Sequence, residues 1–250
     1  MTRLYSIPMV LLLIGLPALA CGEDTLESKP ITQVELGGDT LNVRWVDGDS
    51  FISTDKENGI RTRIIPFNTL ESYGPVHRWG TWTPQELYQV AKAATAVARS
   101  KTWSCSYVSE GLSRKKDGNG RYLVECDGLA EELLSLGLAH LLIFKGNSSK
   151  MVPIQQKAIE EKKGMWAKGV PSAILTSLHA VSEPRKNPAW LPYNRVGSTR
   201  TGYSLTVAHD TDYETCQEIC MRGSCLLYVP YDSRYGEGRA KCLKNEQLSK

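Results

Sequence analysis

Hydrophobic and polar positions first mark out short strands. Residues 40–45 alternate in part, residues 50–53 follow an acidic turn, and residues 61–67 grow apolar toward their end. Half-buried strands carry this period of two. Lys56-Glu57-Asn58-Gly59 lies between the last two runs, and Asn-Gly accepts the positive φ of a tight hairpin. Two later runs, 102–107 and 121–125, bring the strands to five. Five short strands around a small core predict an OB-type β-barrel.

The period then lengthens. Thr83-Pro84-Gln85-Glu86 is a capping box with proline at the first helical position. Behind it Leu87, Val90, Ala91, Ala94, Val97 and Ala98 recur at helical spacing and predict a face packed on the barrel. A second helix is expected over 129–138, between Asp127 and Gly137, and a third over 153–163, stopped by Gly164. Leu133, Leu134 and Leu138 belong to the core, and Trp166 is a packing residue. The predicted class is α+β: a five-stranded OB-type barrel with three packed helices, followed by a small disulfide-rich module.

The ends of the chain read differently. Arg3, an apolar run over 7–16 and Ala18-Leu19-Ala20 make a signal peptide over residues 1–20; the run is short for a bilayer span. Cys21 follows at once, the pattern of a lipoprotein cysteine, with plain secretion as the alternative. Residues 21–32 are a polar tether, 33–171 the barrel domain, 172–192 a linker rich in proline, and 193–250 the cysteine-rich module. The expected destination is a lipid-anchored membrane or cell-surface protein, otherwise a secreted or periplasmic one.

Seven cysteines support export. Setting Cys21 aside for lipid leaves six, enough for three disulfides. Cys105 and Cys126 sit on two predicted neighbouring strands, where a bridge would close a loop of about 20 residues worth roughly 3 kcal/mol. Cys216 and Cys220 fall on a short helix predicted over 213–221, and Cys225 and Cys242 follow. So small a module needs disulfide staples; four cysteines allow three pairings, and sequence does not separate them. Zinc is the alternative, disfavoured by export. The module resembles PAN/apple modules, a similarity that implies a protein or carbohydrate ligand.

A net charge of +3 is modest. A nucleic-acid binder can still carry a local basic face, here Arg61, Arg63, Arg114, Lys115, Lys116 and Arg121, although Arg114-Lys115-Lys116 also reads as a solvated loop. His77 lies just beyond Glu71 and reads either as a structural residue or as one touching substrate; His140 reads as structural, and His179 and His209 have no ligand-like neighbours. The chain has no zinc signature and no glycine loop for phosphate.

The chemistry concentrates in three segments: Val46-Asp47-Gly48-Asp49-Ser50, Arg63-Ile64-Ile65-Pro66-Phe67-Asn68-Thr69-Leu70-Glu71 and Asp117-Gly118-Asn119-Gly120-Arg121. Asp49, Asn68 and the Thr69 carbonyl offer oxygen ligands to a hard divalent cation. Arg63 and Arg121 suit the charge that gathers on a phosphodiester under attack. Glu71 is a carboxylate able to take a proton from water. In order and spacing these segments resemble the staphylococcal nuclease (thermonuclease) family, over roughly residues 40–171. The resemblance implies an OB-type fold and calcium held by Asp49, Asn68 and Thr69. It implies that Glu71 orients or deprotonates the attacking water, and that Arg63 and Arg121 stabilise the phosphorus centre. Asn68 stands where the family often has Asp, and Leu70 where it usually has Pro.

The expected protein is therefore an exported, monomeric, calcium-dependent nuclease acting on DNA or RNA. Two alternatives are an inactive nucleic-acid-binding lipoprotein on the same fold, and a surface protein that binds an unknown ligand through its cysteine-rich tail.

Overall fold

The computed structural model describes residues 30–55, 59–110, 113–144, 149–184 and 191–244. The signal peptide, Cys21, most of the tether, residues 56–58 of the predicted hairpin turn and residues 185–190 of the predicted linker lie outside them.

The fold is mixed α+β. β1 (Ile31–Leu36), β2 (Asp39–Asp47), β3 (Ser50–Ser53) and β4 (Thr62–Ile64) come first, then β5 (Phe67–Thr69) and β6 (His77–Trp79). Helix α1 (Pro84–Arg99) follows, capped by the expected box: Thr83 N donates to Glu86 Oε2 at 3.0 Å, and Glu86 N to Thr83 Oγ1 at 3.3 Å. β7 (Trp103–Tyr107), β8 (Ser109–Glu110), β9 (Ser113–Arg114) and β10 (Tyr122–Cys126) lead to α2 (Leu129–Ser135). After β11 (Ala139–Leu141) comes α3 (Val152–Glu160).

Strands β3-β2-β1-β7-β10-β4 form one six-stranded sheet. It curls until its edges nearly meet: Ile52 bridges Arg61, and Ile64 N donates to Asp49 O at 2.8 Å. Inside lie Leu41, Val43 and Trp45 of β2, alternate residues as the pleat requires, with Val34, Leu36, Phe51, Ile64 and Val124. Leu87, Ala91, Ala94 and Ala98 bury one face of α1. Five strands are expected from the sequence, and the sheet has six. The sixth is β1, whose first two residues fell to the tether, but whose Val34 and Leu36 are fully or nearly fully buried. Cys105 and Cys126 are directly opposite on β7 and β10 and form a disulfide.

The rest of the chain closes back on this body. β12 (Ala173–Ser177), β13 (Tyr193–Ser198) and β14 (Ser204–Ala208) make one sheet. β15 (Glu218–Met221) and β16 (Ser224–Leu227) make another, whose third strand is β6. The segment read as a linker thus contains a buried strand, β12, and the tail is no independent module. The physical reason is core size: Leu175, Val196, Tyr228 and Leu243 share one apolar cluster with Tyr73 and Val76 of the first half. Arg78 clamps Glu218 through two bonds of 2.8 and 2.5 Å.

The tail disulfides are Cys216–Cys242 and Cys220–Cys225. The helix expected over 213–221 does not form. Arg222 and Gly223 both have positive φ, 55° and 87°, so β15 and β16 turn as a two-residue hairpin. Cys220 and Cys225 then face each other across it.

Candidate functional site

The acidic turn joins β2 to β3. Asp47 Oδ1 accepts from Ser50 Oγ at 2.5 Å and from Asp49 N at 3.2 Å, a local turn lock. Gly48 lets this turn press on its neighbours, since a Cβ there would lie 2.7 Å from Thr69 Cγ2 and 3.0 Å from Ala94 Cβ. Asp49 is driven inside, 1% exposed. Its Oδ2 accepts from Thr69 N at 2.8 Å, and its Oδ1 pairs with Arg63 Nη1. The other Arg63 nitrogen donates to Asn68 Oδ1 at 2.6 Å and to Phe67 O at 3.1 Å. Asn68 Nδ2 in turn donates to Thr69 O at 2.6 Å and lies 3.4 Å from His140 Nε2. The oxygens of Asp49 and Asn68 thus already gather around a cation, the Arg63 guanidinium.

Two residues on, Glu71 N donates to His77 Nε2 at 3.4 Å. An imidazole accepting at Nε2 carries its hydrogen on Nδ1, and that buried nitrogen has no partner. Burial pushes His77 down to about 3 and His140 down to about 4, so both are neutral. Glu71 is pushed up to about 7 by loss of solvent, against the pull of Arg234, Arg63 and Arg121. Burial likewise raises Asp49 well above the usual carboxylate range despite Arg63. On the far turn, Asp117 accepts from Arg121 N at 2.9 Å and from its Nε at 2.7 Å, which fixes the guanidinium.

Asp47, Arg63, Asn68, Glu71 and Arg121 line one cleft of about 1330 Å³. Asp49 and Thr69 sit behind that wall, 1% and 3% exposed. All six residues singled out in the sequence are brought together. Lys115, Lys116 and Arg61 also reach the cleft, with Lys116 over the Tyr122 ring at 4.2 Å. The cleft is also lined by Tyr73 and by Tyr231, Arg234 and Tyr235 of the tail, none of which was singled out in the sequence.

The donor set of Asp49, Asn68 and the Thr69 carbonyl is all oxygen, the ligand type a hard cation takes, and each of these oxygens already accepts a hydrogen bond from within the protein. In the tail, Glu218, Cys220 and Cys225 also lie close enough to hold a metal, but both sulfurs are tied in a disulfide.

No family model matches this chain, and no curated protein matches it either.

Proposed function

We propose that this chain is an exported nuclease of the staphylococcal nuclease type, hydrolysing phosphodiester bonds of DNA or RNA with the help of calcium. The six-stranded body is, in this reading, an OB-type barrel. The observation that carries the proposal is convergence: two arginines and a carboxylate from three separate segments of the chain line one cleft, against an oxygen cluster behind it.

Arg121, fixed by Asp117, presents its fork to a phosphate, and its charge suits the trigonal-bipyramidal phosphorus better than the resting diester. Arg63 adds charge from the adjacent wall. Glu71 takes the proton of the attacking water as its oxygen bonds to phosphorus, the opposite P–O ester bond breaks, and the departing sugar oxygen takes a proton from solvent. Asp49, Asn68 and the Thr69 carbonyl would hold calcium, which when bound neutralises phosphate charge. A second reading, a binding module that does not cleave, is favoured by one observation. The Asp49, Asn68 and Thr69 oxygens each already accept a hydrogen bond.

The decisive variant is Arg121→Ala. Arg121 is partly exposed and salt-bridged to Asp117, so its loss leaves the fold intact. Arg63→Ala instead strands a buried Asp49 charge, at about 3–5 kcal/mol. Plasmid degradation in calcium should fall about 100-fold or more in Arg121→Ala and stop for the natural chain in chelator. Cleavage unaffected by both would sink the assignment. A natural chain that retards plasmid without cutting it would establish the second reading.

A further inference from the structure

The tail ends in a loop that stability alone does not explain. Between Pro230 and Ala240 the backbone is pinned by its own hydrogen bonds: Ser233 N to Pro230 O at 2.9 Å, Arg234 N to Tyr231 O at 3.2 Å and Ala240 N to Ser233 O at 2.8 Å. Arg239 fastens it to the segment between β5 and β6, donating to Tyr73 O at 3.0 Å. On this rigid loop stand two tyrosines that are not packed away: Tyr231 is 70% exposed and Tyr235 50%. Their rings stand edge to face 6.5 Å apart, and Tyr235 meets the buried Tyr73 at 6.3 Å. Arg234 lies over Tyr73 at 4.7 Å, with Nε held by Val229 O at 3.0 Å.

We propose that Tyr231 and Tyr235 form a base-stacking subsite for single-stranded nucleic acid, with Arg234 beside them to meet a backbone phosphate. The reading rests on the nuclease assignment and gives it a substrate class. Exposed rings beside a cation, lining the same cleft as Glu71 and Arg121, are what unpaired bases need. Every base has a π face, so such a platform tolerates any sequence, whereas a duplex keeps its faces stacked inside and cannot use it. The tail is thereby part of the substrate site and not a separate binder.

The test uses the full chain in chelator, so that binding is read without cleavage. Fluorescence anisotropy follows a labelled single-stranded oligothymidylate and, separately, a duplex of equal length. Tyr231→Ala with Tyr235→Ala should weaken single-strand binding by about tenfold or more and leave duplex binding within about twofold. The matching Phe pair keeps the rings and should bind as the natural chain does. Unchanged single-strand affinity in the Ala pair overturns the subsite, as does an equal loss for both probes. Ring-dependent binding by a chain that never cleaves would keep the subsite and remove the hydrolysis. No binding of oligothymidylate by the natural chain would remove the subsite and leave hydrolysis to the plasmid assay.

Discussion

Glu71→Gln should make the protein more stable and less active. The carboxyl stands at about 7 in the fold against 4.5 for an ordinary glutamate. Its folded value is thus raised, the reverse of a carboxylate in a good ion pair, so the sign is a penalty. The penalty is absent below 4.5, where both states are protonated, and grows as pH rises until the folded group ionises near 7. A displacement of that size is worth about 3 kcal/mol when fully developed. Glu71 keeps some exposure to the cleft, so screening reduces this to about 2 kcal/mol. Glutamine fills the same volume without the charge. Urea unfolding in chelator at about pH 8 should show the variant ahead by about 2 kcal/mol, or about 4–8 °C in melting temperature for a chain of this length. Below pH 4.5 the two proteins should coincide. His77 and His140 titrate equally in both, so their contribution cancels. A variant no more stable at pH 8, or equally ahead at both pH values, would mean that the carboxylate is solvated and not poised as a base. Activity should fall in the same variant, the cost side of a site held under electrostatic tension.

Other consequences are simpler to check. Replacing Cys105 and Cys126 by alanine removes a bridge across 21 positions, and thermal unfolding should lose about 3 kcal/mol; an unchanged midpoint would refute a role for the link in stability. Trp166→Ala should cost about 3–5 kcal/mol in urea unfolding, because the ring is 1% exposed within the cluster of Leu70, Trp79 and Leu87. A cost below about 1 kcal/mol would refute its part in holding that cluster together.

The parts legible in the chain were those written locally. The Thr83 box announced α1, and the alternation of Leu41, Val43 and Trp45 announced β2. Two of the site motifs were legible because each is a turn that holds itself: Asp47 caps its own loop, and Asp117 grips Arg121 four residues on. β1 was lost in part because Ile31 and Thr32 border a polar stretch and Ile31 is 62% exposed. β12 was lost because Ala173 to Ser177 runs straight into a proline-rich segment. The docking of β16 on β6 is carried by backbone pairing, which leaves no side-chain mark. For that reason Arg234 and Tyr235 could not be assigned to the cleft before the fold was known.

The seam between β6 and β16 also limits how this protein can be taken apart. Leu243 presses so closely on Gly74 that a Cβ there would come within 2.7 Å of its Cδ2. Cutting before residue 193 would strip Tyr73 and Val76 of their cover and bare an edge strand, so a trimmed version invites clumping. Anyone attaching a reporter or affinity handle should therefore add it to the full chain and never put it in place of residues 193–244.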